Sequence, residues 1–348
     1  MANKILNILI INFLAVVSCI AQTGGTGTYT FMSSTTSPRL AAMGVDFASF
    51  YDDDINLACA NPSLINKNMH NDAALSFIDY FSDITMGYAS YSRTFEKAGS
   101  FAATMQYANY GSFQYADATG ETSGTFTANE LAAVIGWGRT LTDRWSIGAN
   151  FKMIYSGLET YNSFGLAVDV AGTYHIAEKN FDMSLIAKNI GAELISYSSE
   201  RSSLPFEIQF AISQKLEHLP FRWIILLHDM QKWNLRYDDP TDEVTTLDPA
   251  TGLPIEKTAA AKFGDNLMRH VTIGGEFTIA KIIYLRLGYN YQRQQELKLA
   301  DLRSAAGFSF GLGLDIYKFE ISYSHTVYTM AGAPNYISIK TKISDWIK

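Results

Sequence analysis

Apolar and polar side chains alternate with a period of two along most of the chain after Ala73. The clearest example runs from Arg144 to Tyr155, and a second one runs from Ala306 to Ile316. In the first, large apolar residues alternate with small or polar ones: Trp145, Ile147, Ala149, Phe151, Met153 and Tyr155 against Ser146, Gly148, Asn150 and Lys152. Successive side chains of an extended backbone lie on opposite faces, so the pattern predicts β-strands with one apolar and one polar face.

About fourteen segments of this kind follow one another. They are Ala73 to Tyr80, Asp83 to Phe95, Gly99 to Tyr110, Phe126 to Thr140, Arg144 to Gly157, Tyr161 to His175, Lys179 to Glu193, Leu204 to Glu217, Pro220 to Trp233, Met268 to Ile279, Lys281 to Gln292, Leu302 to Ile316, Tyr317 to Tyr328 and Asn335 to Trp346. An even number in this range is typical of bacterial outer-membrane β-barrels, whose strands are antiparallel.

The connections between these segments alternate in length. Those after even-numbered segments are very short, such as Glu96 to Ala98, Leu141 to Asp143 and His218 to Leu219. The long ones follow odd-numbered segments: Gly111 to Thr125, Leu194 to Ser203, Asn234 to Leu267, Arg293 to Asp301 and Thr329 to Pro334. Outer-membrane barrels have short periplasmic turns and longer extracellular loops, whereas both ends of a soluble β-sandwich face the same solvent. We therefore expect an all-β, about 14-stranded antiparallel transmembrane barrel, surrounded by outer-membrane lipid.

Composition agrees with a barrel. The 348 residues include 20 Tyr and 21 Phe, and several aromatic residues fall near segment ends, such as Trp145, Trp233 and Trp346. Outside the N-terminus no apolar run approaches the roughly twenty residues of a spanning helix. The formal net charge of −7 argues against a nucleic-acid partner.

The first 21 residues have the features of a cleaved signal peptide. Lys4 is followed by an apolar stretch from Ile5 to Val17 and by Cys19-Ile20-Ala21, which predicts cleavage before Gln22 and export through the inner membrane. The alternative is that Val16 to Cys19 form a lipobox, in which case Cys19 becomes the lipidated first residue of the mature protein. After ordinary cleavage only Cys59 remains, so no internal disulfide can form.

Residues 22–72 lack the two-residue alternation. The segment contains Gly24, Gly25 and Gly27, a short helical stretch at Leu40 to Gly44, the acidic run Asp52 to Asp54, and Asn61-Pro62-Ser63-Leu64. It is too long for a terminal tail and too apolar for a flexible linker. We expect it to lie inside the barrel of residues 73–348 as a plug, or hatch.

These residues carry a resemblance to known proteins. A glycine-rich exported start, Ser37 to Gly44, an acidic stretch and Asn61-Pro62-Ser63-Leu64 ahead of fourteen strands resemble the FadL-like outer-membrane barrels, whose hatch carries an Asn-Pro-Ala motif. Here Ser63 replaces the alanine, which is a change between small residues. The resemblance makes Asn61, Pro62 and Ser63 the hatch motif.

Within that superfamily the chain resembles the PorQ group of the type IX secretion system of Bacteroidetes. The matching segments are Thr28 to Phe31, Gln106 to Phe113 with Asp117 and Gly120, and Gly124 to Ala128. The PorV group has a similar plan but longer members, and is the near alternative.

The PorQ resemblance implies an interaction role without catalysis or cofactor. Barrels of this group are thought to anchor a cell-surface attachment complex, whose components PorZ, PorU and PorV process secreted cargo and link it to lipopolysaccharide. Loop 234–267 is the candidate partner-binding loop, because acidic residues and prolines project charge and stiff turns from the rim: Asp238, Asp239, Asp242, Glu243 and Asp248. An acidic loop without a specific partner is the alternative interpretation.

Transport of long hydrophobic molecules is the rival function, since FadL proper has a lumenal apolar pocket. The lumen-facing residues of the sixth segment are small or polar, as at Gly165, Ala167 and Asp169, but the plug adds seven large apolar residues: Leu40, Met43, Val45, Phe47, Phe50, Ile55 and Leu57. They either line a pocket that holds a lumenal lipid or pack the plug against the wall. We favour the packing.

The sequence gives little support for an enzymatic function. Ser322, Ser324 and His325 are close along one strand, but the serines and the histidine fall on opposite faces. The remaining histidines stand singly, without spacing that indicates a zinc site. Asp52 to Asp54 has the oxygen ligands for Ca²⁺ but not the EF-hand spacing, so pairing with a lumenal Arg39, Arg93 or Arg286 is favoured. The sequence thus predicts no catalytic residues and no metal.

Overall fold

The computed structural model describes residues 27–198, 201–236, 258–297, 305–328 and 332–346. They form fourteen antiparallel strands in one closed ring, in which each strand pairs with its neighbours in sequence and β1 pairs with β14. The strands are β1 (Asp72–Asp79), β2 (Thr85–Phe95), β3 (Gly99–Ala116), β4 (Thr122–Thr142), β5 (Trp145–Leu158), β6 (Tyr161–Ile176), β7 (Phe181–Ile195), β8 (Glu207–Lys215), β9 (Phe221–Leu227), β10 (Val271–Ile279), β11 (Ile283–Asn290), β12 (Phe308–Ile316), β13 (Phe319–Thr326) and β14 (Asn335–Lys342). The predicted 14-stranded antiparallel barrel is confirmed.

The two faces of the wall differ as the alternation predicts. Along β5 exposed residues alternate with buried ones, so that Trp145, Ile147 and Phe151 lie outside while Ser146 and Asn150 lie inside. Large apolar side chains are exposed all round the outer face, as at Leu75 and Leu287 with 66% and 60% of their surface accessible. A soluble monomer rarely exposes apolar surface on this scale, whereas a membrane barrel presents it to lipid.

The two ends of the barrel also differ. The connections after β2, β4, β6, β8, β10 and β12 span two to five residues, and we call this end the turn end. The loop end contains the connections after the odd-numbered strands, including 228–270 between β9 and β10. The acidic residues Asp238, Asp239, Asp242, Glu243 and Asp248 lie outside the described residues, as do the predicted signal peptide and Cys19.

Three predicted loops differ in the structure. Most of the predicted loop Gly111 to Thr125 is strand, because β3 and β4 stay paired to Ala116 and Thr122 across two register irregularities. The connection after β9 contains the helix α2 (Ala259–Arg269), and the connection after β11 contains the helix α3 (Tyr291–Leu297). Turn residues and polarity therefore identified an interruption of the alternation but not its local structure. No helix among the described residues is long and apolar enough to cross a membrane, a finding with no bearing on crossing by strands.

Residues 27–71 precede β1 and pack against the inner face of the wall; they are called the plug below. Their regular elements are the helix α1 (Pro38–Ala42) and four 3-10 turns at Thr30–Ser33, Ile55–Leu57, Pro62–Leu64 and Lys67–Met69. Ser37 caps α1, since its hydroxyl accepts a hydrogen bond from the Leu40 N–H, and Pro38 occupies the first helical position. Cys59 is a free cysteine within the plug.

Candidate functional site

The plug is held by a buried cluster of charges centred on Arg39. This residue lies in α1 and is only 8% exposed. Its guanidinium donates two parallel hydrogen bonds of 2.9 Å to the carboxylate of Glu276 on β10. It also lies 2.8 Å from Asp52 and 3.5 Å from Asp54, both in the plug. One arginine therefore joins α1, the acidic run and the wall.

Further wall cations complete this cluster. Arg222 on β9 lies 3.1 Å from Asp52, and the guanidinium groups of Arg222 and Arg39 each lie 4.9 Å from the centroid of the Phe50 ring. Arg286 on β11 donates to Glu276 at 2.8 Å and to Ser322 at 2.9 Å. Stacking on an aromatic face and bidentate pairing both favour arginine over lysine at such sites.

The structure thus pairs the acidic run mainly with Arg39. Of the other predicted partners, Arg286 pairs with Glu276 instead, and Arg93 is exposed on the outer face over the Phe95 ring. Arg222 was missed, because the sequence places it only beside a turn and gives no sign that its side chain reaches the acidic run.

The plug charges shift one another's ionisation. Burial acts to raise the pKa of Asp52, but Arg39 and Arg222 outweigh this effect and hold that pKa below its ordinary value. Burial opposes the charge of Arg39, yet the carboxylates of Asp52, Glu276 and Asp54 raise its pKa well above the usual range. Burial and the neighbouring Glu320 raise the pKa of Asp54. Asp52 and Arg39 are therefore ionised together at neutral pH.

The hatch motif docks against the opposite side of the wall. Asn61 caps the 3-10 turn Pro62–Leu64, since its Oδ1 accepts from the N–H and the hydroxyl of Ser63 at 3.1 and 2.6 Å. Its Nδ2 donates to the Ala48 carbonyl at 2.7 Å. Ser63 in turn contacts Thr173 on β6 through paired hydroxyls 2.7 Å apart, and its carbonyl accepts from Ser146 on β5 at 2.7 Å. The motif therefore binds two plug segments together and attaches them to two strands.

Glycines in the wall allow this close contact. A Cβ atom added to Gly148 on β5 would lie 2.2 Å from the Pro62 carbonyl carbon, and one added to Gly138 on β4 would lie 2.4 Å from the Ile65 carbonyl oxygen. Both distances are impossible, so only glycine permits the plug backbone to reach the wall backbone here.

A second glycine contact lies across the lumen, beneath α1. A Cβ on Gly288 of β11 would lie 2.0 Å from the Met43 carbonyl carbon, and one on Gly274 of β10 would lie 2.6 Å from the Met43 Cβ. On β12, a Cβ at Gly311 would lie 2.6 Å from that of Ala42. The plug is therefore fitted backbone to backbone on two sides of the barrel.

Apolar packing occupies the space between these contacts. The seven large apolar plug residues named above have 2% or less of their surface exposed. Six of them pack with one another and with inward wall residues such as Ala171, Ile186, Ala211, Ile224 and Leu226, whereas Ile55 packs with Ala74 on β1 and Ala102 on β3. The inner face of β6 is small or polar, as the sequence predicts, whereas β7, β8 and β9 add the apolar inward residues Ile186, Ala211, Ile224 and Leu226.

A polar cavity remains near the loop end, above the plug. Its volume is about 320 Å³. The plug contributes Ser33, Thr35 and Asp46, and the wall contributes among others Tyr80, Glu207, His228, Asn290, Thr326 and Tyr336. Hydroxyl, amide and charged groups dominate this lining, so the cavity suits water or ions better than a hydrocarbon.

Two groups of exposed aromatic side chains lie at the loop end. The β3–β4 hairpin, with strands of 18 and 21 residues, is about twice as long as a transmembrane strand of 9–11 residues. Its far part contains Phe113 and Tyr115, whose rings lie 5.3 and 5.0 Å from that of Phe126. Beside α2, Trp233 packs on Phe263 at 5.5 Å, and both are more than half exposed.

The two serines and the histidine of β13 lie on opposite faces of the strand, as the sequence predicts. Ser322 and Ser324 are buried inside, whereas His325 lies on the outer side and its Nδ1 is 2.9 Å from the Asn335 Oδ1. The described residues do not assemble a nucleophile and base here.

Comparisons with known proteins agree with this architecture. No protein-family profile matches the chain. No curated protein matches it either. Among solved structures, the toluene transporter TodX of Pseudomonas putida is similar with a TM-score of 0.54 and 12% identity, over 87% of this chain and 95% of TodX. A FadL homologue of Pseudomonas aeruginosa gives a TM-score of 0.52 and 9% identity, over 89% and 98%. The chain therefore has the fold of the FadL-like outer-membrane barrels.

We expect Arg39→Ala to destabilise the protein by about 3–5 kcal/mol, because it leaves Glu276 and Asp52 buried without their main partner. The measurement is denaturant unfolding of the detergent-refolded barrel. Arg93→Ala is the matched control and should cost less than about 1 kcal/mol, since it removes only an exposed arginine. Equal losses in the two variants would contradict a central role for Arg39.

Gly148→Val should displace the hatch motif from the wall and cost about 1–3 kcal/mol by overpacking. Gly87→Val is the control with the same strand propensity, because a Cβ at Gly87 meets no heavy atom within 4 Å. Single-channel conductance and protease sensitivity of the plug should rise in the first variant alone. Identical behaviour of the two variants would show that the contact does not seat the plug.

Proposed function

We propose that this chain is a non-enzymatic outer-membrane component of the type IX secretion system, similar to PorQ, which anchors a cell-surface attachment complex. The barrel is held in lipid, with its turn end in the periplasm and its loop end outside. Its partners are PorZ-, PorU- or PorV-like surface proteins, and its role is to keep them at the membrane while cargo is processed and attached.

The filled lumen is the observation that carries this proposal. The plug is joined to the wall by buried ion pairs on one side, by the hatch motif on the other, and by apolar packing between them. Moving such a plug breaks buried charge pairs, each of which costs several kcal/mol when one partner is removed. A barrel sealed in this way is better suited to holding something at its rim than to passing molecules through its centre.

The loop end offers surfaces for such a partner. The long β3–β4 hairpin contains the exposed aromatic residues Phe113 and Tyr115, and aromatic side chains are enriched at protein interfaces. Asp117 and Gly120 shape the hairpin turn, because the Asp117 carboxylate accepts from the Thr119 and Glu121 N–H groups and Gly120 has a positive φ. These residues belong to the segment that resembles PorQ. The acidic loop 234–267 is the second proposed contact.

Transport of a hydrophobic molecule is the second candidate function. The fold shared with TodX, which is described as a toluene transporter, favours it. Against it stand the packed apolar residues of the plug and the polar lining of the loop-end cavity. A transporter of this kind needs the plug to rearrange during every passage.

A native pull-down of the tagged protein from gently solubilised outer membranes separates the two functions. Proteins and lipids that copurify are identified together by mass spectrometry. The proposal expects a large surface-attachment protein in near-equal amount. Recovery of the barrel alone with one equivalent of a fatty acid or another hydrophobe would overturn it in favour of transport.

Deletion of residues 238–256 should leave the barrel folded and abolish surface attachment of cargo, because it removes the acidic partner-binding loop. Folding is checked by the heat-modifiable migration of the barrel on a gel, and attachment by the cargo retained on washed cells. Replacement of the hairpin turn 117–121 by a two-residue turn serves as a second loop variant. Normal cargo attachment in the 238–256 deletion would exclude this loop as the contact.

A further inference from the structure

We propose that the loop-end cavity contains a binding site for a divalent transition-metal ion of the Zn²⁺ type, formed by Glu207, His228 and Asp229. Glu207 is the first residue of β8, and His228 and Asp229 directly follow β9. Each of the three offers one ligand atom, and these atoms lie within 4.8 Å of one another. The proposal goes beyond the anchoring function and does not depend on it.

His228 is the observation that points to a bound ion. Its side chain is 93% buried and lines the cavity, and its Nδ1 lies 3.2 Å from the Asp229 Oδ2. Its Nε2 is buried and has no hydrogen-bond partner among the described residues. A buried polar atom without a partner destabilises the fold unless another group binds it. A metal ion would use this unpaired atom or the one that faces Asp229.

The two carboxylates are already oriented. The Glu207 Oε1 accepts from the Gln209 side chain at 2.8 Å and from the Asp229 N–H at 3.2 Å. The Asp229 Oδ1 accepts from the Gln231 side chain at 3.2 Å. One oxygen of each carboxylate is thus fixed by neutral donors, as in the outer shell of many metal sites.

The chemistry of the ligands selects the type of ion. Zinc binds imidazole nitrogen and carboxylate oxygen at about 2.0–2.2 Å and often keeps an open position when three protein ligands are present. Calcium prefers six to eight oxygen ligands, which a site with one histidine and two carboxylates does not offer. The three ligand atoms lie close enough for one ion to bind between them, and the adjoining cavity has room for water in the remaining position.

The charged residues around the three proposed ligands are compatible with a bound cation. Lys188 lies 2.9 Å from Asp46 of the plug, which also accepts two hydrogen bonds from Gln209, and Arg293 is a second cation that lines the cavity. Asp46 is therefore the ion-pair partner of Lys188, and the carboxylates of Glu207 and Asp229 have no lysine or arginine within ion-pair distance among the described residues. Occupancy would tie β8 to the start of the connection 228–270, and through Gln209 and Asp46 to the plug.

The test uses the full-length mature barrel with a histidine-free affinity tag, purified in detergent and stripped with a chelator. Zinc binding is measured by calorimetric titration and by metal content after gel filtration, with Co²⁺ as a spectroscopic substitute. We expect one zinc per barrel. His228→Gln and Asp229→Asn should weaken binding by about 100-fold or more, and Gln231→Leu, which removes an outer-shell contact, by about 10-fold. Asparagine suits the positive φ of Asp229, so that variant leaves the backbone undisturbed.

His325→Gln, on the outer face of the barrel, is the matched control and should bind zinc as the unaltered protein does. Heat-modifiable migration confirms that each variant is folded, and a variant that fails this check is replaced by the other ligand variant. Zinc binding that is equally strong in folded His228→Gln and in the unaltered protein would overturn the site. Binding of calcium in preference to zinc, without dependence on His228, would overturn the type of ion.

Discussion

A closed ring of fourteen strands encloses a lumen that is too wide for its own side chains to fill, and every other property of this protein depends on how that space is occupied. The wall removes all sheet edges and satisfies its backbone in lipid, but it leaves a channel. Here residues 27–71 occupy the channel. Sealing, stability and the polar cavity near the loop end all follow from this arrangement.

The fit of the plug combines three kinds of contact, each with a different dependence on distance. Glycines allow backbone contact on two opposite sides, so a small change in the shape of the plug or the wall produces a steric clash there. Buried ion pairs centred on Arg39 and Glu276 specify one orientation, because a displaced plug would leave charges unpaired. Apolar packing excludes water from the plug but carries little directional information. Together they favour a single seated position over a set of loosely bound ones.

Much of the wall could be predicted from the sequence because the period of two is a local property. The alternation around Trp145 specified which side chains face outward, and the burial pattern along β5 confirms it. The segment Gly111 to Thr125 was assigned to a loop as one of the long connections, yet pairing between long neighbouring strands continues through it. Local composition does not report how far a partner strand extends.

The sites were harder to predict, because their residues are brought together only by the closed ring. Arg222 meets Asp52 across 170 positions of sequence, and no spacing rule connects them. Glu207 and His228 stand at the loop ends of two paired strands, so the register of that hairpin, and not a motif, makes them neighbours. By contrast, the Asn61-Pro62-Ser63 motif was recognisable, since its capping hydrogen bonds lie within three residues.

The pairing of Arg39 with Glu276 spans 237 positions, and this separation has a consequence for assembly. Synthesis runs from the N-terminus, so α1 is made early, whereas the strands that receive it come late in the chain. Until β10 and β11 are in place, Arg39 lacks its bidentate partner and the glycine surface beneath α1 does not exist. The plug can therefore settle only in a nearly complete wall, which makes closure of the barrel a condition for its sealing and keeps an unfinished barrel open.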